Sequence, residues 1–145
     1  MSLAELIAFF GRHPLPSFAL AGLSAAIIVT EVNRLVRGFQ GLAPAQLTAL
    51  VNRDNALVVD LRTPSDFAAG HIPGSKNVQM AQFDPENKQL APAKSLPVVL
   101  VCKSGQSAGG AAKRLKQAGF ERVYLLDGGI AAWQQADLPL VKGRA

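Results

Sequence analysis

The single cysteine, Cys102, closes an apolar run, Val98-Val99-Leu100-Val101, and opens a short polar stretch, Lys103-Ser104-Gly105-Gln106-Ser107. Thiols react as thiolates, which need positive potential or hydrogen-bond donors close by. Both are on offer here. From Ala108 to Ala118 the composition is helical, with Lys113, Arg114 and Lys116 in the later turns and Gly119 as a stop. Cys102 is therefore expected between the C-terminal end of a strand and the N-terminus of a helix, where free backbone N–H groups favour a thiolate or a bound anion. Gly105 lets the backbone curl so that successive N–H groups converge on the sulfur. Lys103 adds a positive charge beside it. An isolated cysteine is ordinarily a small buried hydrophobe; the glycine and serines that follow this one point instead to a nucleophile.

The other residues able to do chemistry read as structural. Asp60 and Arg62 stand at the end of a second apolar run, Ala56-Leu57-Val58-Val59. Charged groups beside buried strands are normally paired, so an ion pair between these two, or with Asp66, is expected rather than catalysis. His71 is the residue a thiolate mechanism would recruit as a base. Set between Gly70 and Ile72-Pro73-Gly74, it is expected instead to hold a turn by hydrogen bonds. His13 lies far from the cysteine in sequence, and two histidines with one cysteine make no metal site. No Walker or Rossmann glycine fingerprint is present, and no cofactor is implied. Trp133 reads as core.

The elements that must position Cys102 follow from the apolar pattern. Val98–Val101 and Ala56–Leu61 lack polar alternation, as strands of a parallel sheet covered on both faces do. Arg122–Leu126 is a further strand and Val78 marks a short one. Helices are expected past Pro44 to about Asp54, from Ser107 onward, and over Ile130–Ala136, with a single turn at Ser65–Gly70 capped near Ser65. Met80–Lys94 is polar and Pro-interrupted, and reads as helix fragments and loop. Strands alternating with helices over residues 42–145 define an α/β domain with a mainly parallel sheet flanked by helices.

At 145 residues there is room for one such domain and an appendage. One cysteine excludes an intramolecular disulfide and fits a reducing compartment. A formal charge of +5 favours anionic partners, but without a localised basic patch it does not point to nucleic acid. The mean hydropathy of +0.20 is high for a soluble domain, and its source is the N-terminal apolar helix. Leu15 to Thr30 carries no charge, and the apolar character of residues 15–36 is about the length that crosses a bilayer. Residues 1–37 are thus expected to form a single-pass membrane anchor, with 38–41 as linker and 42–145 as the domain. Arg34 and Arg37 follow the segment and only Arg12 precedes it, which sets the domain in the cytoplasm. Glu5 near the start, and no cleavage signature after the run, argue against a signal peptide.

Asp60-Leu61-Arg62-Thr63-Pro64-Ser65-Asp66-Phe67, then Gly70-His71-Ile72-Pro73-Gly74-Ser75-Lys76-Asn77-Val78, resembles the signature of rhodanese domains. The strand into Cys102-Lys103-Ser104-Gly105-Gln106-Ser107, then Val123-Tyr124-Leu125-Leu126-Asp127-Gly128-Gly129 and Trp133, continues the resemblance in the same order over about residues 42–140. The resemblance implies a sulfurtransferase. Cys102 would take sulfane sulfur from thiosulfate or a related persulfide donor, become a persulfide, and pass the sulfur to cyanide or a thiol, a protein sulfur acceptor included. The backbone of Lys103, Ser104, Gly105, Gln106 and Ser107 would cradle it. Two departures stand out. Many thiosulfate-using members carry Arg where this chain has Ser107, leaving Lys103 as the loop cation, and Asp66 replaces the more usual Glu. A related class of phosphatases has a loop one residue longer ending in Arg; here Ala108 follows Ser107, so the phosphate clamp is missing. The alternative left open is a non-catalytic interaction module of the same fold at the membrane.

Overall fold

The computed structural model describes residues 2–37, 39–105 and 107–144. The chain divides into two compact units, Met1–Arg37 and Gly38–Ala145.

The first unit holds α1 (Leu3–Arg12) and α2 (Pro14–Arg37). A reciprocal capping box starts α1: the Ser2 hydroxyl accepts from the Glu5 N–H, and the Glu5 carboxylate accepts from the Ser2 N–H at 2.7 Å. Helix α1 ends at His13, whose backbone is no longer helical (φ −125°, ψ 72°). Pro14 then opens α2, a position where its missing N–H costs nothing. Within α2, Pro14–Asn33 has a mean hydropathy of 1.7 and no buried residue, long and apolar enough to cross a membrane.

The second unit alternates strand and helix as its sequence predicts: β1 (Gln40–Leu42), α3 (Pro44–Asp54), β2 (Leu57–Asp60), α4 (Pro64–Ala69), β3 (Lys76–Asn77), β4 (Val98–Val101), α5 (Ala108–Gln117), β5 (Val123–Leu126) and α6 (Gly129–Gln135). The sheet order is β1-β5-β4-β2-β3 and every neighbouring pair is parallel. Alternate residues supply two cores. Val59, Leu61, Val98, Leu100 and Val123 face Ala111, Ala112 and Leu115 of α5. Val58, Val99, Val101 and Leu126 face Leu47 of α3 and Ile130 and Trp133 of α6. Burial on both faces is why the strands read as unbroken apolar runs. Trp133 is core, its indole N–H donating to the Pro139 carbonyl at 2.9 Å.

Four details differ from the sequence reading. Gln40 and Gly41, read as linker, form β1 with Leu42; three residues centred on glycine carry no strand period, and the pairing comes from β5. The α4 cap is Thr63 rather than Ser65, because Pro64 takes the first helical position and the Thr63 hydroxyl accepts from the Asp66 N–H. The short strand expected at Val78 lies at Lys76–Asn77. Within the polar stretch 80–94, where 3₁₀ turns occupy Met80–Gln82 and Ala91–Ala93, Phe83 and Leu90 are buried in the core on the α5 side.

Candidate active site

The period of β4 fixes where the thiol goes. Val98 and Leu100 point to the α5 side, and Cys102, two residues on, belongs to the same core, so its sulfur faces the N-terminal end of α5 rather than the α6 side. Cys102 is 3 % exposed. The Gly105 N–H donates to Sγ at 2.8 Å. That turn needs glycine: Gly105 has φ +88°, and a β-carbon there would lie 3.1 Å from the Gly128 nitrogen. Lys103 and Ser104 are exposed. Ser107 is also exposed and takes the N-cap position of α5 without a side-chain capping bond, so its hydroxyl is not spent on the helix. Gln106 lies outside the described residues.

The turn after β5 forms the seat of this loop. The Ile130 N–H donates to the Cys102 carbonyl at 2.9 Å, and the Ala131 N–H reaches the Lys103 carbonyl at a long 3.5 Å. Gly128 and Gly129 have φ +73° and +60°. A β-carbon on Gly129 would overlap the Cys102 carbonyl oxygen and stand 2.8 Å from the Lys103 carbonyl carbon. Sequence reasoning quoted this glycine pair as part of a motif without assigning it to the site. Two consecutive glycines directly after an apolar strand were the available signal.

On the other side of β4, the Leu61 N–H donates to the Val101 carbonyl at 2.8 Å, tying the end of β2 to the residue before the cysteine. Here Asp60 and Arg62 pair as expected. Arg62 Nε and Nη2 meet the two Asp60 carboxylate oxygens at 2.8 to 3.1 Å, and Nη2 also donates to the Gly70 carbonyl at 2.7 Å. The pair is buried, with side chains 10 % and 1 % exposed. Asp66, the other expected partner of Arg62, stays outside: it is exposed on the first turn of α4, and Asp60 and the Gly70 carbonyl already take the guanidinium. Asn77, which sequence reasoning missed, donates through Nδ2 to the Asp60 and Arg62 carbonyls at 3.1 and 3.0 Å.

His71 holds a turn, as expected. Its Nδ1 lies 2.8 Å from the Phe67 carbonyl, so it donates there, and its ring stacks on Phe67 with centroids 3.7 Å apart. Its backbone exchanges two 2.9 Å bonds with Val141. The structure thus brings Asp60, Arg62 and His71 together as the frame of the loops leaving β2, and separately brings the Gly105 N–H onto the Cys102 sulfur. Among the described residues no group of three His, Cys, Asp or Glu side chains converges as a metal site would.

Cys102 thus stands at the end of a parallel strand of an α/β domain, with a backbone N–H on its sulfur and, among the described residues, no acid–base side chain bonded to it. The chain belongs to the rhodanese-like domain family, whose model matches residues 43–136. It is 38 % identical to the uncharacterized protein YibN of Escherichia coli over 141 residues, spanning 97 % of this chain and 99 % of that one. It is 41 % identical to the thiosulfate sulfurtransferase GlpE of Pseudomonas aeruginosa over 100 residues, 66 % of this chain and 84 % of that one. The solved thiosulfate sulfurtransferase of Pseudomonas aeruginosa superposes with a TM-score of 0.65 at 29 % identity, over 73 % of this chain and 20 % of that longer chain. The family is one of sulfurtransferases.

Proposed function

We propose that the chain is a membrane-anchored sulfurtransferase in which Cys102 is the nucleophile. The Cys102 thiolate attacks the sulfane sulfur of a thiosulfate-type donor; the new S–S bond forms as the donor's S–S bond breaks, and sulfite leaves with the electron pair. The resulting persulfide is then attacked at its outer sulfur by cyanide or a thiolate, and Cys102 departs as thiolate. Both states of the site carry negative charge on sulfur. Once Cys102 is a thiolate, neither transfer step removes a proton, so the site needs donors for the negative sulfur in both steps. The observation carrying this reading is the Gly105 N–H directed at Sγ. Lys103, Ser104, Gln106 and Ser107 complete the binding loop, and Asp60, Arg62, Asp66 and His71 belong to the surrounding frame. Residues 1–37 are the anchor and the second unit, whose sheet begins at Gln40, is the transfer domain, on the cytoplasmic side by the bias of Arg34 and Arg37 over Arg12.

Intact-mass analysis after exposure to thiosulfate is expected to show one added sulfur, lost again on addition of cyanide and absent from Cys102→Ser. No adduct with thiosulfate or a persulfide donor would overturn the assignment and leave a non-catalytic interaction module of the same fold. Locating a C-terminal reporter fusion tests the side of the membrane.

A further inference from the structure

Helix α1 has an apolar face that is largely uncovered. Leu3, Leu6, Ile7 and Phe10 recur at intervals of three, one and three residues and line one side, while Glu5 and Arg12, seven apart, share the opposite side. No residue of α1 is buried; Leu3, Ile7 and Phe10 are 77 %, 64 % and 37 % exposed, and Leu6 is half-buried. A ten-residue helix is short of the length that holds in water alone. The capping box at Ser2 and Glu5 and the basic Arg12 in the last turn complete its two ends, so what the helix lacks is a cover for most of its face.

The chain itself says what lies next to that face. One residue, His13, separates α1 from α2, whose Pro14–Asn33 window has the length and hydropathy of a bilayer crossing. A span beginning at Pro14 puts the boundary of the hydrocarbon within one residue of Arg12. Extending the span through α1 would carry Glu5 and Arg12 into the hydrocarbon, and the non-helical backbone of His13 followed by Pro14 breaks the axis before that happens.

We infer that α1 lies along the lipid–water interface, with Leu3, Leu6, Ile7 and Phe10 in the acyl boundary and Glu5 and Arg12 towards water. The inference rests on α2 being the membrane anchor. Glu5 and Arg12 offset each other, so the binding is apolar in origin and does not depend on anionic headgroups.

The test uses the full chain in lipid vesicles, with Cys102→Ser as background so that single cysteines at Ile7→Cys, Glu5→Cys and Leu23→Cys carry an environment-sensitive fluorophore. Lipids bearing a quencher at shallow or deep acyl positions report depth. The Ile7 label is expected to be quenched roughly twofold more by shallow than by deep probes, equally in phosphatidylcholine and in mixtures with phosphatidylglycerol, and the Glu5 label by aqueous iodide. The Leu23 label is expected to respond to the deep probes. An Ile7 label untouched by lipid probes while Leu23 responds overturns the inference, gives the face to a protein partner or to water, and leaves the anchor standing. Deep quenching at Ile7 makes α1 part of the span and also overturns it. Silence at both positions removes the anchor, and the interfacial helix with it.

Discussion

The Cys102 carbonyl oxygen occupies the place where a β-carbon on Gly129 would stand, and the Lys103 carbonyl lies beside it. The cysteine loop is therefore seated backbone to backbone on the turn after β5, at a distance only glycine permits. Gly129→Ala must both hold φ +60° with a side chain and push the loop away. The conformational part alone costs about 1–2 kcal/mol. Gly119, at φ +96° with nothing within 4 Å, incurs only that part. Gly129→Ala is expected to lower the melting temperature more than Gly119→Ala and to lose sulfur uptake at Cys102, while Gly119→Ala retains uptake. Thermal unfolding followed through Trp133, the only tryptophan, with intact mass as second readout, checks both; equal effects would contradict the seating.

The Asp60–Arg62 pair predicts an asymmetric response. Arg62→Met leaves a carboxylate 1 % exposed without its counter-ion, a change expected to cost about 3–5 kcal/mol. Asp60→Asn keeps Arg62 bonded to the Gly70 carbonyl and is expected to cost less. Denaturant midpoints at unchanged slope give the ordering. The reverse order would mean that the guanidinium, not the carboxylate, is the group the fold must neutralise.

Lys103 is exposed, directly after the cysteine, and is expected to attract an anionic donor without touching the chemistry. A charge pair at contact distance in water is worth about 1 kcal/mol, roughly fivefold in KM. Lys103→Gln is expected to raise KM for thiosulfate by about that factor and to flatten its salt dependence, with kcat little changed. Steady-state kinetics at two ionic strengths measures this. A fall in kcat alone would assign Lys103 to the transfer step.

Helix α5 opens with Gly109 and Gly110 in ordinary helical conformation. An added β-carbon meets nothing at Gly109 and only the Met80 methyl at 3.7 Å at Gly110. Each glycine weakens the helix by about 0.5–1 kcal/mol against alanine. Gly109→Ala and Gly110→Ala are expected to raise the melting temperature in the same assay, and together to add. A loss of stability would show that the first turn of α5 must flex.

The position of Cys102 is legible because β4 is covered on both faces. Four apolar residues without alternation, three of them valine, bounded by turn residues and too few for a helix, read as a buried strand, and the first residue to break the run marks the sheet's carboxyl edge. The pairing of Asp60 with Arg62 is legible for the same reason. Its exclusiveness is not: Asp66 is also near in sequence, and only the direction of α4, with the Gly70 carbonyl taking the remaining donor, leaves it out. Strand β1 escapes detection since Gln40-Gly41-Leu42 has no pattern of its own. Its place is set by β5 and by Asp127, whose carboxylate fills the space where a Gly41 side chain would be. Phe83 and Leu90 are single large apolar residues in a polar stretch, without periodicity, and their burial depends on α5, from which Arg114 also covers the Phe83 ring at 5.5 Å.

The sheet order has a consequence in time as well as in space. The first strand, β1, has the last strand, β5, as its neighbour, and the Asp127 N–H closes the pair on the Leu42 carbonyl at 2.9 Å. Such long-range closure is slow compared with helix formation. A chain emerging from its N-terminus completes α2 early, yet the sheet stays open until residues 123–126 arrive. Gly128 and Gly129 follow them, so the thiol is synthesised before its seat exists. The nascent protein carries an unhoused cysteine throughout that interval, and the Cys102 loop takes its place only as β5 and the turn after it dock.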